Sequence, residues 1–288
     1  MKSFTLQWDR FKLELGEKTS VMGILNTTPD SFSDGGKYLS FDAAVSHGLE
    51  LVKQGADILD IGGESSRPFA EPVSAKMEME RVVPVIEKLA KTIDIPISID
   101  TTKASVAEAA LNAGAAIIND ISALEKDPAM AGLAAKREVP VILMHMKGTP
   151  QTMQIDPAYK DIMQEIRDYL ADRTTFAVKA GIKKENIILD PGLGFGKSVE
   201  DNLMLIKHLG TIHALGLPLL MGPSRKSFIQ KILSKLTDKT IDANSKRAEQ
   251  GTLAAIAVSI INNAQIVRVH DVASVKPMVK IINAIQNV

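Results

Sequence analysis

The segment Asp60-Ile61-Gly62-Gly63-Glu64-Ser65-Ser66-Arg67-Pro68 packs paired glycines, paired seryl hydroxyls and an arginine behind the short apolar run Ile58-Leu59-Asp60-Ile61. Adjacent glycines let the backbone approach a ligand or take positive φ, and hydroxyls beside a guanidinium fork suit an anion. By itself the segment could also be an ordinary loop with a solvated arginine. Similar polar clusters recur: Asn26 to Gly36, Asp100-Thr101-Thr102, Asn119-Asp120, Met144 to Pro150, Asp190-Pro191-Gly192-Leu193-Gly194-Phe195-Gly196-Lys197, Gly222-Pro223-Ser224-Arg225-Lys226-Ser227 and Arg268-Val269-His270-Asp271. Each has a bland reading alone. Asp100 or Asn119 could cap a helix, Asp190 could make a turn before Pro191, Lys226 could be surface charge, and His270 could be a core histidine.

What unites them is the element that precedes each. Short, continuously apolar stretches predict buried strands at 21–25, 58–61, 97–99, 117–119, 141–144, 187–189, 217–221 and 266–269. Amphipathic patterns predict helices at about 41–54, 74–91, 103–112, 128–136, 159–180, 198–208, 247–263 and 274–286. Buried strands joined by helical crossovers imply an all-parallel sheet, and eight units with no dinucleotide fingerprint predict a single-domain (β/α)8 TIM barrel. Every polar cluster then falls at the C-terminal end of a strand, on the rim where barrel active sites are built. Arg268 and His270, two apart on one strand, must face the same way, and that way is the interior. Residues 5–8 and 11–15 alternate around Asp9-Arg10 like a β-hairpin, expected as a plug or lid at one barrel end.

Composition narrows the chemistry. With 45% hydrophobic and only 4% aromatic residues in 288, the core must be mainly aliphatic. Lys+Arg and Asp+Glu are equal at 34 each, so no global field draws in nucleic acid or an anionic membrane, and any anion site is local. The absence of cysteine removes disulfides, thiolate metal sites and cysteine nucleophiles. Met1 to Arg10 lacks the apolar stretch of a signal peptide and the run 253–261 is too short to span a bilayer, so a cytoplasmic protein is expected.

In this order and spacing, Met22-Gly23-Ile24-Leu25-Asn26 with Thr28-Pro29-Asp30-Ser31-Phe32-Ser33-Asp34-Gly35-Gly36, the opening segment, Asp190-Pro191-Gly192, Ser224-Arg225-Lys226 and Arg268-Val269-His270-Asp271 resemble the dihydropteroate synthase family, from Val21 to Val288. The resemblance implies condensation of 6-hydroxymethyl-7,8-dihydropterin pyrophosphate with p-aminobenzoate, giving 7,8-dihydropteroate and pyrophosphate, with Mg2+ on the leaving group. Asp100, Asn119 and Asp190 would then line the pterin edge, with Lys226 at its other side and Arg268 stacked on the ring. Met144 and Gly222 complete that pocket, and Lys226, Asp100 and Arg268 would carry catalysis. Ser66, Arg67, Arg268 and His270 would hold the pyrophosphate, and Asn26 would meet Mg2+ or phosphate. Phe32, Pro68, Phe195 and Ser227 would shape the aminobenzoate site, with 31–36 and 62–68 closing as lids.

Two positions depart from the family loop: Ser66 stands where threonine is commoner and Phe69 where glycine is expected, so the width of the aminobenzoate pocket and its access for sulfonamides are in question. Two other activities fit a pterin-reading barrel. One is a methyltetrahydrofolate–corrinoid methyltransferase, which needs no pyrophosphate site; the other is a pterin-binding subunit without turnover. Outer-helix apolar residues Ala254, Ala255, Val258 and Ile261 suggest a homodimer face or, equally, core.

Overall fold

The computed structural model describes residues 2–28, 37–65, 70–149, 152–153, 157–237 and 239–288. Eight parallel strands form its centre: β3 (Ser20–Asn26), β4 (Ile58–Gly62), β5 (Ile97–Asp100), β6 (Ile117–Asp120), β7 (Val141–Met144), β8 (Ile187–Asp190), β9 (Leu220–Met221) and β10 (Ile266–Val269). Their order is β8-β7-β6-β5-β4-β3-β10-β9, and a parallel bridge between Leu189 and Leu219 joins the two outer strands into a barrel. Strands such as Ile58–Gly62 and Val141–Met144 are buried along their whole length, as sheets with helices outside and packed side chains inside require.

Helices α1 (Lys37–Lys53), α2 (Ala75–Ala90), α3 (Ala104–Asn112), α4 (Ala129–Arg137), α5 (Ile162–Lys179), α6 (Val199–Lys207), α7 (Gly210–His213), α8 (Ser227–Thr237), α9 (Lys246–Ile261) and α10 (Val272–Gln286) accompany the strands. Local sequence starts several of them. Ser74, Ser198 and Ser245 each accept an amide from the first turn, and at Ser198 the reciprocal bond from Asp201 completes a capping box. The eight expected helices are present; α7 and α8 were not foreseen, since the segment 222–227 reads as loop chemistry and masks the helix it introduces. The expected strand over 217–221 is shorter, because Pro218 has no N–H and the amide of Leu219 donates to Oε1 of Gln265 at 2.8 Å instead of to a strand.

Register decides which side chains enter the barrel. Ile24 pairs with Asp60 and Asp60 with Ser98; one layer up, Asn26 pairs with Gly62, Gly62 with Asp100, and Asp100 with Asn119. Because side chains alternate, these residues share the interior face in two layers near the C-terminal rim. At the other end lies the hairpin of β1 (Phe4–Trp8) and β2 (Phe11–Leu15), paired antiparallel. Its Leu6, Trp8, Phe11, Leu13 and Leu15 are buried, and the Trp8 indole N–H donates to the carbonyl of Ala116, just before β6, at 2.8 Å. The plug therefore closes the end opposite the rim.

Candidate active site

A shared carboxylate organises the barrel floor. Oδ2 of Asp60 accepts from Arg268 Nε at 2.6 Å and from Asn119 Nδ2 at 3.1 Å, while Arg268 Nη2 donates to Oδ2 of Asp100 at 2.7 Å. Strands β4, β5, β6 and β10 are thus cross-tied by one guanidinium and two acids. Asp60 is fully buried, and its other oxygen has no hydrogen-bond donor among the described residues. Burial alone would weaken the Arg268 charge, but Asp60 and Asp100 more than offset it and raise its pKa. Asp100 is pushed up to about 7, first by burial, with Asp60, Glu78 and Asp120 adding to the shift and Arg268 opposing it.

On the opposite wall, Oδ1 of Asp190 accepts the amide of Gly192 at 2.7 Å, and burial raises Asp190 to about 6 against the pull of that amide, Lys226, Lys197 and Arg268. Lys226 is lowered to about 8, mainly by burial and then by Arg268, with Asp190 and Asp100 holding it up. Its ammonium lies 3.9 Å from the centre of the Phe195 ring, a cation–π contact. Phe195 belongs to a small apolar cluster with Met144 and Met153, flanked by Ile121 and Met146. Acids, an amide and cations on one side and methionine with phenylalanine on the other define a slot for a flat, hydrogen-bonding ring.

Higher on the rim, Oγ of Ser224 lies 3.0 Å from Nδ1 of His270 and accepts the His270 amide. Asn26 ends β3 half-buried, level with Gly62, whose carbonyl accepts the Thr27 amide and hydroxyl. Ser227 opens α8 and is exposed, and Gly222 stands with its Cα face toward Arg268. Phe32, Ser66, Arg67, Pro68 and Phe69 lie outside the described residues, as do most of the expected lids. The base of the second lid is described: Glu64 accepts the Val73 amide at 2.8 Å, and Lys103 donates to Glu64 and to fully buried Glu78.

The structure thus brings Asp100, Asn119, Met144, Asp190, Phe195, Lys226 and Arg268 to one slot, with Asn26, Ser224 and His270 above it. Arg268 is held edge-on by Asp60 and Asp100, which fixes the plane it can offer a ring. Sequence reasoning missed Asp60 as a site residue, although an aspartate inside an apolar strand, two before Gly62, was the available signal. It also passed over His145 and Lys197, both nearly fully buried behind Phe195.

A (β/α)8 barrel with such a cluster at the C-terminal ends of its strands falls in the class of barrel proteins whose active sites are built on that rim. The sequence matches the family described as pterin binding enzyme over residues 22–270, and the chain belongs to that family. Its relatives there are dihydropteroate synthases: the Synechocystis sp. enzyme is 47% identical over 94% of this chain and 91% of its own length. Among solved structures, Yersinia pestis dihydropteroate synthase in a sulfonamide drug complex superposes with a TM-score of 0.91 at 41% identity, covering 99% of this chain and 100% of the other. The Xanthomonas albilineans dihydropteroate synthase in complex with 7,8-dihydropteroate gives 0.83 at 41% identity, covering 96% and 97%.

Proposed function

We infer that this chain is a dihydropteroate synthase, a transferase that joins 6-hydroxymethyl-7,8-dihydropterin pyrophosphate to p-aminobenzoate. The observation that carries this is the cross-tied floor of Asp60, Arg268, Asp100 and Asn119 facing Asp190, Lys226 and the Phe195 wall, in a chain 47% identical to such an enzyme. In the reaction the bond from the pterin methylene to pyrophosphate oxygen breaks, the arylamine nitrogen bonds that carbon and sheds a proton, and pyrophosphate leaves. Ionised Asp100 and Asp190 accept N–H groups of the ring edge, Asn119 adds an amide, and Lys226 donates to the ring's carbonyl or nitrogen. Departure ahead of attack needs no strong general base, which agrees with a site of acceptors and cations. Ser66, Arg67, Arg268 and His270 would receive the anion, and Phe32, Pro68, Phe195 and Ser227 would border the aminobenzoate.

Among the described residues no three acidic or histidine side chains gather as a metal cage. A half-buried Asn26 amide plus phosphate oxygens and water is a donor set that suits Mg2+, which keeps few protein ligands. Bound there, Mg2+ would neutralise charge on the leaving pyrophosphate. Asn26→Ala should then raise the Mg2+ concentration for half-maximal turnover, and an unchanged requirement would remove Asn26 from this role.

We also read the enzyme as a cytoplasmic homodimer. An apolar groove of about 630 Å3 between α6, α8 and α9 is lined by Leu203, Phe228, Ile232 and Val258, and Leu203, Val258 and Ile261 are 46%, 44% and 60% exposed. Of the expected face, Ala254, Val258 and Ile261 are exposed and Ala255 is half-buried. A second copy laying the same helices on this face would cover it. Sedimentation should give a dimer for the wild type and a monomer for Val258→Lys. No helix among the described residues is long and apolar enough to cross a membrane; cell fractionation tests the location.

The deciding assay is pyrophosphate release. It should require both substrates together and yield dihydropteroate; release from neither mixture would sink the synthase reading, and methyl transfer to a corrinoid protein would favour the alternative.

A further inference from the structure

Lys197 is 4% exposed, yet among the described residues no carboxylate bonds its ammonium. Its Nζ instead lies in a nest of acceptors: the carbonyls of Gly192 at 2.8 Å, Phe195 at 3.0 Å and His145 at 3.3 Å, and Nδ1 of His145 at 3.0 Å. Burial draws the Lys197 amine down to about 7, with Asp190 and Asp201 opposing and Lys226 adding to the shift. In its protonated form the amine only donates, so Nδ1 then accepts and the imidazole proton sits on Nε2. His145 can accept because burial first, and then Lys197 itself, hold its pKa far below the usual range and keep it neutral. Two different rim segments therefore meet on one nitrogen: 145–147, after β7, and 190–197, after β8.

The contact is close along its whole length. The His145 amide donates to the Asp190 carbonyl at 2.9 Å. Gly192, Gly194 and Gly196 all have positive φ, and a Cβ on them would lie 2.0 Å from the His145 carbonyl oxygen, 2.9 Å from Cδ of Lys226 and 2.3 Å from the Lys147 carbonyl oxygen. Tyr159 adds a hydroxyl donated to the Gly196 carbonyl at 2.8 Å. Phe195 sits inside this zipped segment, with Lys226 over its ring. Removing the lysine would orphan buried carbonyls on both sides of the seam, a cost that falls on the geometry of the segment.

We propose that Lys197 is a positioning residue for the aminobenzoate side of the site: its ammonium bolts the 190–197 segment to the 145–147 segment and so fixes Phe195, and Lys226 against it. What Phe195 faces rests on the synthase reading; the bolt does not. Hydrogen exchange and kinetics on the full-length enzyme separate the two. In Lys197→Met the amides of 192–196 and of 145–147 should exchange about tenfold faster together, with β3 and β4 unchanged. The KM for p-aminobenzoate should rise about tenfold while that for the pterin pyrophosphate changes far less. In a Phe195→Ala background Lys197→Met should add almost nothing to that KM. Lys197→Gln, which keeps two N–H donors, should fall between wild type and Lys197→Met, and it applies the same criteria if Lys197→Met does not fold. Unchanged exchange at 145–147, equal rises in both KM values, or full additivity with Phe195→Ala overturns the proposal. A wild type that makes no dihydropteroate would instead sink the synthase reading, and the exchange measurement would still decide the bolt.

Discussion

Asp60 and Arg268 stand 208 positions apart in the chain and meet at 2.6 Å across the barrel floor, through the same oxygen that receives Asn119. One buried carboxylate thus sets the direction of both the Arg268 guanidinium and the Asn119 amide. In Asp60→Asn the guanidinium keeps only Asp100, and breaking a buried pair costs about 3 kcal/mol. Thermal denaturation should show that loss, and the KM for the pterin pyrophosphate should rise much more than that for p-aminobenzoate. Equal effects on both would mean that Asp60 supports the fold without orienting the pocket.

Asp100, pushed up to about 7 by burial, should make turnover sensitive to pH near neutrality. Accepting N–H groups needs the ionised acid, so kcat/KM for the pterin substrate should fall as pH drops through about 7, with Asp190 adding a second loss near about 6. Asp100→Asn should leave only the lower limb, at reduced overall rate. Stability runs the other way. A folded pKa raised above the ordinary 3.8 to about 7 contributes stability that is full below 3.8 and is lost as pH rises through about 7. Denaturant midpoints of wild type and Asp100→Asn should therefore diverge over that window, and parallel curves would contradict the assignment.

Lys226→Ala should cut turnover by about two orders of magnitude, the usual scale for losing a preorganised cationic donor. The lysine stem also packs on Phe195 and over Gly194, so Lys226→Met is the cleaner variant: it preserves that packing and deletes only the charge. Near-normal rates in Lys226→Met with an unchanged melting temperature would take Lys226 out of the chemistry.

Two glycines should respond in opposite directions to alanine. Gly192 has φ +70°, and its added Cβ would strike the His145 carbonyl oxygen, so Gly192→Ala should destabilise by roughly 2 kcal/mol or more. Gly132 lies exposed in α4 with nothing within 4 Å, and Gly132→Ala should stabilise by roughly 0.5–1 kcal/mol. Calorimetry on both separates backbone strain from general intolerance.

Strands and rim were legible in the sequence because burial on both faces writes an unbroken apolar run, and polar residues such as Asp100, Asn119 and Asp190 interrupt it only where the strand surfaces. The inward aim of Arg268 also followed from two facts: alternation puts it on the same face as His270, and an apolar helix layer would tolerate neither. Asp60 escaped because its partners come from β6 and β10, and only the barrel's register shows that they converge. Lys197 escaped for a related reason: three of its four acceptors are main-chain carbonyls, which leave no mark in residue types, and the fourth, Nδ1 of His145, comes from another strand's end. Helix α8 was hidden by the reactive-looking Ser224-Arg225-Lys226 that leads into it. The family resemblance supplied roles for Phe32, Ser66, Arg67, Pro68 and Phe69 that the described residues neither use nor oppose.

The hairpin at the closed end has a practical corollary. Trp8 is the chain's single tryptophan, 6% exposed and bonded to Ala116 at the barrel's far end. Its emission should shift red when the plug undocks or the barrel melts, while substrates entering at the rim leave it dark to their arrival. The enzyme therefore carries an intrinsic optical gauge of folding that is decoupled from ligation, and a binding fluorophore has to be introduced at the opposite pole.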